Sequence, residues 1–200
     1  MSEFLPWEQY LVEIGNLLQT TEITFHDNGR VARGDMQTAV KIWCGLLSDA
    51  QSGRRMFLFC GNGASAAMAD HFAADLGHHG KVATYTFSSI AQLTAQANDS
   101  GYESVFLEPL TRVAQPGDVL ICISSSGKSE NILNAARFAV SHGIRLVTFS
   151  GFHAGNPLRT LGMLNFYVNA KAYGPVESAH AVLLHYLIDC GISHLQKISR

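Results

Sequence analysis

Charged side chains are scarce in this 200-residue chain: 15% of its residues are Asp, Glu, Lys or Arg, and the formal net charge is -2. A chain with no excess of basic residues lacks the electrostatic footprint of a protein that binds a nucleic-acid backbone. Disorder is excluded as well, because 47% of the residues are apolar and such a chain buries enough surface to fold. The scarcity of charge also indicates a covered surface, and we expect an interface between subunits.

Targeting signals and cysteine motifs are also missing. The first eight residues contain two acids and no base, so they predict no signal peptide. No apolar run reaches membrane-spanning length, because His180 and His185 interrupt the longest one. Cysteines occur at four separate positions without a CxxC pair, which argues against a disulfide framework or a zinc ribbon: Cys44, Cys60, Cys122 and Cys190. Cys60 and Cys122 end apolar runs and are predicted to be buried strand thiols in a reducing compartment, so we expect a cytoplasmic protein.

Helical and strand-like patterns alternate along the chain. Two helices are predicted first, over residues 6–20 and 35–51, with a turn at 26–30 between them. From residue 56 onward, short apolar runs typical of strands buried on both faces alternate with helical stretches. The predicted strands are 56–60, 82–87, 118–123, 145–149 and 164–168, and the helices are 64–78, 89–97, 104–114, 128–142 and 175–195. This alternation predicts an α/β fold with a parallel sheet and right-handed crossovers.

The same pattern defines the domain organisation. We interpret residues 1–200 as a single domain, with residues 1–52 as leading helices for oligomerisation and residues 53–200 as the α/β core. Trp7 and Trp43 are predicted to pack the leading helices against a neighbouring subunit. The chain therefore predicts one folding unit whose first quarter serves assembly.

Two small, polar loops follow predicted strands and lead into helices. The first is Gly61-Asn62-Gly63-Ala64-Ser65, and the second is Ser124-Ser125-Ser126-Gly127-Lys128-Ser129. Ligands of open parallel sheets bind beyond the carboxyl ends of the strands, where the N–H groups of a helix start and nearby hydroxyls form a cradle for an anion. A helix N-cap explains one serine, but the second loop has four serines in six residues. That loop therefore predicts a phosphate site.

Both loops come close to nucleotide motifs without matching them. Gly61 to Ala66 fits G-x-G-x-x-[GA] after a strand, but no Asp or Glu lies near Thr86, where a dinucleotide fold needs an acid for the ribose. Gly127-Lys128-Ser129 fits the end of a P-loop, but the position of its opening glycine is occupied by Cys122. We therefore expect a small phosphorylated ligand and no nucleotide.

Ionisable side chains on two predicted helices are candidates for catalysis or metal binding. His71 and Asp75 share one helix face, four residues apart, and form either an ordinary hydrogen-bonded pair or a metal-ligand or acid–base pair. Glu177, His180 and His185 lie in the apolar last helix, where such groups need partners. At about 100° per residue the two histidines lie on different sides of Glu177. We expect only one of them to join Glu177 at a site.

The order of these motifs resembles a known family. Gly61–Ala67 is followed by His71–Asp75, then by Asn98–Tyr102, Gly117–Leu120 and Ile123–Ser129, and finally by a histidine-bearing last helix. Together they are similar to the signature of bacterial phosphoheptose isomerases, which belong to the sugar isomerase (SIS) superfamily of phosphosugar-binding domains. The resemblance covers nearly the whole chain, including the two leading helices.

The resemblance implies a three-layer α/β SIS fold: a five-stranded parallel sheet flanked by helices, with two leading helices, assembled as a homotetramer with active sites between subunits. It implies isomerisation of D-sedoheptulose 7-phosphate to D-glycero-D-manno-heptose 7-phosphate through an enediol, an early step toward surface heptoses. The alternatives are an isomerase of another phosphosugar and a non-catalytic phosphosugar-binding or DnaA-binding module. The joint presence of Asp75, Glu177 and His185 favours the enzyme.

The resemblance also assigns roles by motif position. Asp75 and His185 match the catalytic acid–base pair, and we expect Asp75 to be the base and His185 to come from a neighbouring subunit. Some members of the family bind zinc, and the matching positions are His71, Asp75, Glu177 and His185. The positions that match substrate-binding residues are Asn62, Gly63, Ala64, Ser65, Asn98, Asp99, Ser124, Ser125, Ser126, Ser129 and Glu177.

Three residues depart from the family pattern. Asp75 stands where the family usually has Glu, Glu177 where it has Gln, and His79 where Arg is common. Asp75 shortens the base by one methylene, which changes its reach toward a substrate. Glu177 adds a negative charge that favours retention of a metal. These departures predict a divergent subgroup that serves another heptose or a related phosphosugar.

Overall fold

The computed structural model describes residues 5–27 and 30–198. The helices in these ranges are α1 (Trp7–Gln19), α2 (Met36–Gly53), α3 (Ala64–Gly80), α4 (Ile90–Ser100), α5 (Leu107–Val113), α6 (Glu130–Ser141) and α7 (Tyr173–Ile198). The strands are β1 (Glu22–Asp27), β2 (Arg30–Gly34), β3 (Met56–Gly61), β4 (Ala83–Thr86), β5 (Val119–Ser124), β6 (Arg145–Gly151) and β7 (Leu164–Val168). None of the helices in the described ranges combines the length and the apolarity needed to cross a membrane.

The strands form one sheet in the order β2-β1-β7-β6-β5-β3-β4. The strands from β3 to β7 pair in parallel, which confirms the predicted parallel sheet. β1 pairs antiparallel with both β7 and β2. A hairpin therefore extends the sheet beyond the five strands that the sequence predicts.

This hairpin corrects the prediction of a turn at 26–30. His26 and Asp27 belong to β1 and Arg30 begins β2, whereas residues 28 and 29 lie outside the described part of the chain. Ile23 of β1 is buried and pairs with Phe166 of β7, so the hairpin covers the edge of the sheet. The segment is short and mostly polar, and its strand character depends on the packing against β7.

Alternate residues of the central strands contribute to two apolar layers. In β3, Phe57 and Phe59 pack in the layer of α2, α3 and α7, whereas Leu58 and Cys60 pack in the layer of α5 and α6. Because successive side chains of a strand point to opposite faces, a wholly apolar strand is one that is buried on both. The structure thus has the predicted three layers, with the sheet in the middle.

The two strand cysteines are buried, as predicted. The Sγ atoms of Cys60 and Cys122 lie 3.5 Å apart on neighbouring strands. Burial, and to a smaller extent the thiol of Cys60, raises the pKa of Cys122 well above its ordinary value. Cys122 therefore stays protonated and is a poor nucleophile.

The two leading helices pack differently. Trp43 of α2 is fully buried, and its ring meets Phe57 of β3 edge-on at a centroid distance of 5.3 Å. A Cβ atom on Gly191 of α7 would collide with Leu47 of α2, so these two helices touch closely. The prediction that Trp43 packs against a neighbouring subunit is wrong, because α2 belongs to the core of its own chain. Trp7 of α1, in contrast, is 65% exposed.

His180 of α7 is fully buried and contacts Phe149 in the apolar layer of α2, α3 and α7. Its Nε2 lies 3.1 Å from the carbonyl oxygen of Ser150, and its Nδ1 has no hydrogen-bond partner among the described residues. Burial lowers the pKa of His180 to about 4, against a smaller opposing effect of the Ser150 carbonyl. His180 is therefore neutral at pH 7 and is the core histidine of the last helix.

We predict that His180 makes the protein less stable as the pH falls from about 6.5 to about 4. In this interval the unfolded chain binds a proton at His180 and the folded chain does not, so protonation favours unfolding. The two pKa values differ by an amount worth about 3 kcal/mol. Urea unfolding of the His180→Gln variant should show a flatter dependence on pH, since Gln does not titrate.

The matched control is His142→Gln, because His142 is exposed at the end of α6. We expect this variant to follow the pH dependence of the wild type. An unaltered pH dependence in His180→Gln would contradict the assignment.

Candidate active site

The carboxyl ends of β3 and β5 meet at one edge of the sheet, and both polar loops begin there. Gly61 pairs with Ile123 in the parallel register, so the loops begin at the same level. A pocket of about 100 Å³ lies between them. Its lining residues are Asn62, Ser65, Ile123, Ser124, Ser125, Ser126, Ser129, Tyr173 and Glu177. We call this space the serine pocket.

The first loop depends on two glycines. A Cβ atom on Gly61 would lie 2.5 Å from the backbone of Ser65, so a larger residue does not fit this turn. Gly63 has a φ of +57°, in the left-handed region that favours glycine, and directly precedes α3. The tight turn places Ser65 in the wall of the serine pocket, where its side chain is buried.

The second loop uses some of its serines to hold its own shape. The Oγ of Ser124 accepts a hydrogen bond from the N–H of Gly127 at 3.2 Å, and the Oγ of Ser126 accepts one from the amide two residues later. Ser129 directly precedes α6 and makes no side-chain cap bond within the described structure. The Oγ of Ser125 is buried and has no partner among the described residues. A buried hydroxyl without a partner is costly, so Ser125 is a candidate ligand for a bound anion.

The described residues that line the serine pocket include no Lys or Arg. Among the described residues that line it, Glu177 is the only charged one, and the hydrogen-bond donors are hydroxyls and an amide. Such a cradle binds an anion through directional hydrogen bonds instead of through a Lys or Arg side chain. Glu177 comes from α7, so this helix forms part of the pocket wall.

Three residues near this pocket were missed by sequence reasoning. Tyr173 lines it, and Asn131 and Tyr102 form hydrogen bonds with Asn62. A signal for Asn131 was available, because it lies on the buried stripe of α6 that continues with Ala135 and Ala139. A polar residue on a buried stripe needs a specific partner. Tyr102 and Tyr173 are exposed, and their sequence context carries no such signal.

A second group of side chains lies between α3 and α7. The Nε2 of His71 is 3.4 Å from the Oδ2 of Asp75. The ring of His185 meets the rings of His71 and Phe72 edge-on, at centroid distances of 5.4 and 4.7 Å. One ligand-type atom of each of His71, Asp75 and His185 lies within 4.8 Å of the other two. We call these three residues the histidine cluster.

The histidine cluster corrects the origin predicted for His185. That residue was expected to come from a neighbouring subunit, but α7 of the same chain places it beside His71 and Asp75. The two helices run side by side, since a Cβ atom on Gly80 of α3 would meet Ile192 and Leu195 of α7 at 3.8 Å. Helix packing of this kind is a tertiary feature that the motif order does not reveal.

Glu177 does not join the histidine cluster in this chain. It precedes His185 by eight residues, which is about 12 Å along the axis of α7, and it lines the serine pocket. Of the four predicted metal ligands, the structure therefore brings His71, Asp75 and His185 together and places Glu177 with the predicted phosphate ligands.

Four other predicted substrate residues do not line the serine pocket. Asn98 and Asp99 are exposed on α4, and the Nδ2 of Asn98 donates to the Oδ1 of Asp99 at 2.9 Å. Gly63 and Ala64 are exposed at the start of α3, next to the pocket wall formed by Ser65. These four positions stay predictions as sugar contacts.

The donor set of the histidine cluster fits zinc. Two imidazoles and one carboxylate are typical of catalytic zinc sites, which keep a further position open for water or substrate. With metal–ligand distances of about 2.0–2.1 Å, the ligand atoms of a tetrahedral site lie roughly 3.4 Å apart. The contact between His71 and Asp75 already has this length, and His185 is within a small side-chain movement of it.

The fold and the motifs together define a class of protein. The chain matches the family model described as the SIS domain over residues 32–151, more than half of its length, and is an SIS domain protein. It is 38% identical over 148 residues to the phosphoheptose isomerase of Mycobacterium tuberculosis (strain ATCC 25177 / H37Ra), across 70% of this chain and 74% of the relative. It is 31% identical over 183 residues to that of Helicobacter pylori (strain P12), across 88% and 95%. The chain belongs to the phosphoheptose isomerase family.

Solved structures agree in fold. Phosphoheptose isomerase GmhA from Neisseria gonorrhoeae matches with a TM-score of 0.75 at 24% identity, over 94% of this chain and 95% of that one. A phosphoheptose isomerase from Francisella tularensis matches with a TM-score of 0.75 at 21% identity, over 92% of each chain. At these identities the likeness is one of fold, and it confirms the predicted SIS architecture.

Proposed function

We propose that this protein is a phosphosugar isomerase that converts D-sedoheptulose 7-phosphate to D-glycero-D-manno-heptose 7-phosphate. The observation that carries the proposal is the spacing of two sites on the same pair of helices. Ser65 and Glu177 belong to the serine pocket, and Asp75 and His185 belong to the histidine cluster further along α3 and α7. The name of the curated relatives, phosphoheptose isomerase, supports the substrate.

The spacing fits the length of a heptose phosphate. Ser65 precedes His71 by six residues and Asp75 by ten, which corresponds to about 9 and 15 Å along α3. A seven-carbon chain with C–C bonds of about 1.5 Å extends roughly 10 Å from C1 to a phosphate on C7. The carboxylate of Asp75 lies 3.4 Å from the Nε2 of His71. A heptose whose phosphate is held by the serine pocket is therefore long enough for its C1–C2 end to reach the His71 side of the histidine cluster.

The chemistry requires a base, an acid and an anchor. Ser125 and Ser129 hold the phosphate, with the other hydroxyls of the serine pocket around it. Asp75 takes a proton from C1 of the ketose while His185 donates one to the carbonyl oxygen at C2, which gives the enediol. Asp75 then returns a proton to C2 and His185 takes the proton from the oxygen at C1, which gives the aldose.

The main test is to incubate the protein with sedoheptulose 7-phosphate and follow the aldose by NMR. We expect Asp75→Asn to lower turnover by about 10³-fold, since it removes the base, while phosphosugar binding stays nearly intact. Asp70→Asn is the matched control, because Asp70 is exposed on the same helix and contacts Ser88 instead of the cluster.

Retained turnover in Asp75→Asn would rule out the role of Asp75. Turnover of another ketose phosphate, with none of sedoheptulose 7-phosphate, would reassign the substrate within the same reaction class. Binding without turnover by the wild type would favour the alternative of a non-catalytic phosphosugar-binding module.

The serine pocket gives a second prediction. We expect Ser125→Ala to weaken binding of inorganic phosphate about tenfold, because a hydrogen bond to a charged group is lost. The same change should leave the melting temperature equal or higher, because it removes a buried hydroxyl that has no partner among the described residues. Calorimetry and thermal unfolding measure the two effects separately.

Ser141→Ala is the control for this variant. Ser141 is exposed, and its hydroxyl donates to carbonyl groups of its own helix. Its loss should not change phosphate affinity. Unchanged phosphate binding in Ser125→Ala would show that the unpartnered hydroxyl does not face the ligand.

We propose zinc as the metal of the histidine cluster, on the strength of its donor set. When bound, zinc would polarise the sugar oxygens, and an Asp75 that ligates it tightly is a weaker base. We expect His185→Gln to weaken zinc binding by at least about tenfold, as measured by calorimetry on the metal-free protein. His142→Gln should bind zinc like the wild type, and equal affinity in all three proteins would exclude the cluster as the site.

We also propose that the protein is a cytoplasmic homotetramer, with residues 1–52 contributing to assembly. Exposed apolar side chains support an interface: Trp7, Leu11 and Val12 on α1, and Val182 and Tyr186 on α7. Burying such side chains between copies of the chain would remove them from water. The free cysteines are consistent with a reducing compartment.

A further inference from the structure

Two amide side chains join the two loops of the candidate active site. The Nδ2 of Asn62 donates to the Oδ1 of Asn131 at 3.0 Å, and the Nδ2 of Asn131 donates to the Oδ1 of Asn62 at 2.9 Å. Asn131 on α6 is only 2% exposed, whereas Asn62 is partly buried and lines the serine pocket. This reciprocal pair connects the first loop with the helix that begins directly after Ser129.

Neighbouring groups fix the direction in which both amides point. The backbone N–H of Ile132 donates to the Oδ1 of Asn131 at 2.9 Å, which identifies the oxygen of that side chain. The hydroxyl of Tyr102 donates to the Oδ1 of Asn62 at 3.0 Å. The oxygen of Asn62 thus accepts two hydrogen bonds, and its Nδ2 has given one of its two N–H groups to Asn131. The other N–H group is available to a ligand.

We propose that Asn131 is a positioning residue for the phosphosugar. It orients Asn62 so that the remaining N–H group of Nδ2 meets the sugar, and it keeps the first loop at a fixed distance from the phosphate ligands of the second. Asn131 does not itself line the serine pocket, so it acts through Asn62. This inference rests on the proposed function for its ligand, a phosphorylated sugar.

A double-mutant cycle tests the inference. Asn131→Ala should lower kcat/KM at least about tenfold, because a small misplacement of a substrate-contacting group is costly in rate. In an Asn62→Ala background the same substitution should change kcat/KM less than about threefold, since its effect is transmitted through Asn62. Equal losses in both backgrounds would overturn the positioning role.

The control is Asn134→Ala on the same helix. Its Nδ2 donates to the carbonyl oxygen of Glu103 at 3.1 Å, so the variant loses an amide hydrogen bond without touching Asn62. We expect kcat and KM to stay at wild-type values. A merely structural role for Asn131 would lower the melting temperature of Asn131→Ala and leave the kinetic constants of the folded protein unchanged.

A binding measurement separates this inference from the proposed function. Calorimetry should show that Asn131→Ala weakens binding of sedoheptulose 7-phosphate more than binding of inorganic phosphate, which has no sugar to meet Asn62. If the wild type lacks turnover, the proposed function fails. The ratio of the affinity for sedoheptulose 7-phosphate to the affinity for inorganic phosphate still decides the role of Asn131. If Asn131→Ala does not fold, Asn131→Asp replaces it, because it keeps the oxygen that accepts from Asn62 and Ile132 and removes the donor to the Oδ1 of Asn62. An unchanged ratio in the folded variant contradicts the inference.

Discussion

The parallel pairing of β3 with β5 is the constraint on which the candidate active site depends. Gly61 and Ile123 are partners in this pairing, so the two polar loops leave the sheet about one strand spacing apart, roughly 4.8 Å. The helices that follow them, α3 and α6, pack on opposite faces of the sheet. Polar groups therefore converge on one edge from both layers, and a ligand between the loops contacts each of them.

Helix α7 completes the site because its polar residues lie in three different surroundings. Glu177 lines the serine pocket, His180 is buried against β6, and His185 joins the cluster on α3. Rotation of about 100° per residue separates their directions, and the rise of about 1.5 Å per residue separates their positions. A single element thus sets the distance along α7 between the serine pocket and the histidine cluster, and packing of α7 affects both.

The sequence was most informative where one physical signal dominated. The apolar runs within 56–60 and 118–123 predicted β3 and β5 because a strand covered on both faces is mostly apolar. The clustered serines of the second loop predicted a phosphate site there, since capping of a helix explains only one of them. That site stays a prediction. Sequence reasoning failed where the outcome depends on tertiary contacts. β1 is a strand because it meets β7, Trp43 is buried because α2 meets α7, and His185 reaches Asp75 because α3 and α7 are neighbours.

The absence of a Lys or Arg among the described residues that line the serine pocket explains why its scaffold is so closely constrained. Where a Lys or Arg holds an anion, long-range attraction tolerates small displacements, whereas hydrogen bonds weaken steeply with distance and angle. Among the described lining residues the only charge is Glu177, which repels an anion. We therefore expect binding of a phosphate by this pocket to rely on the placement of its hydroxyls. The tight turn at Gly61 and the buried hydrogen-bonded amide of Asn131 serve this placement.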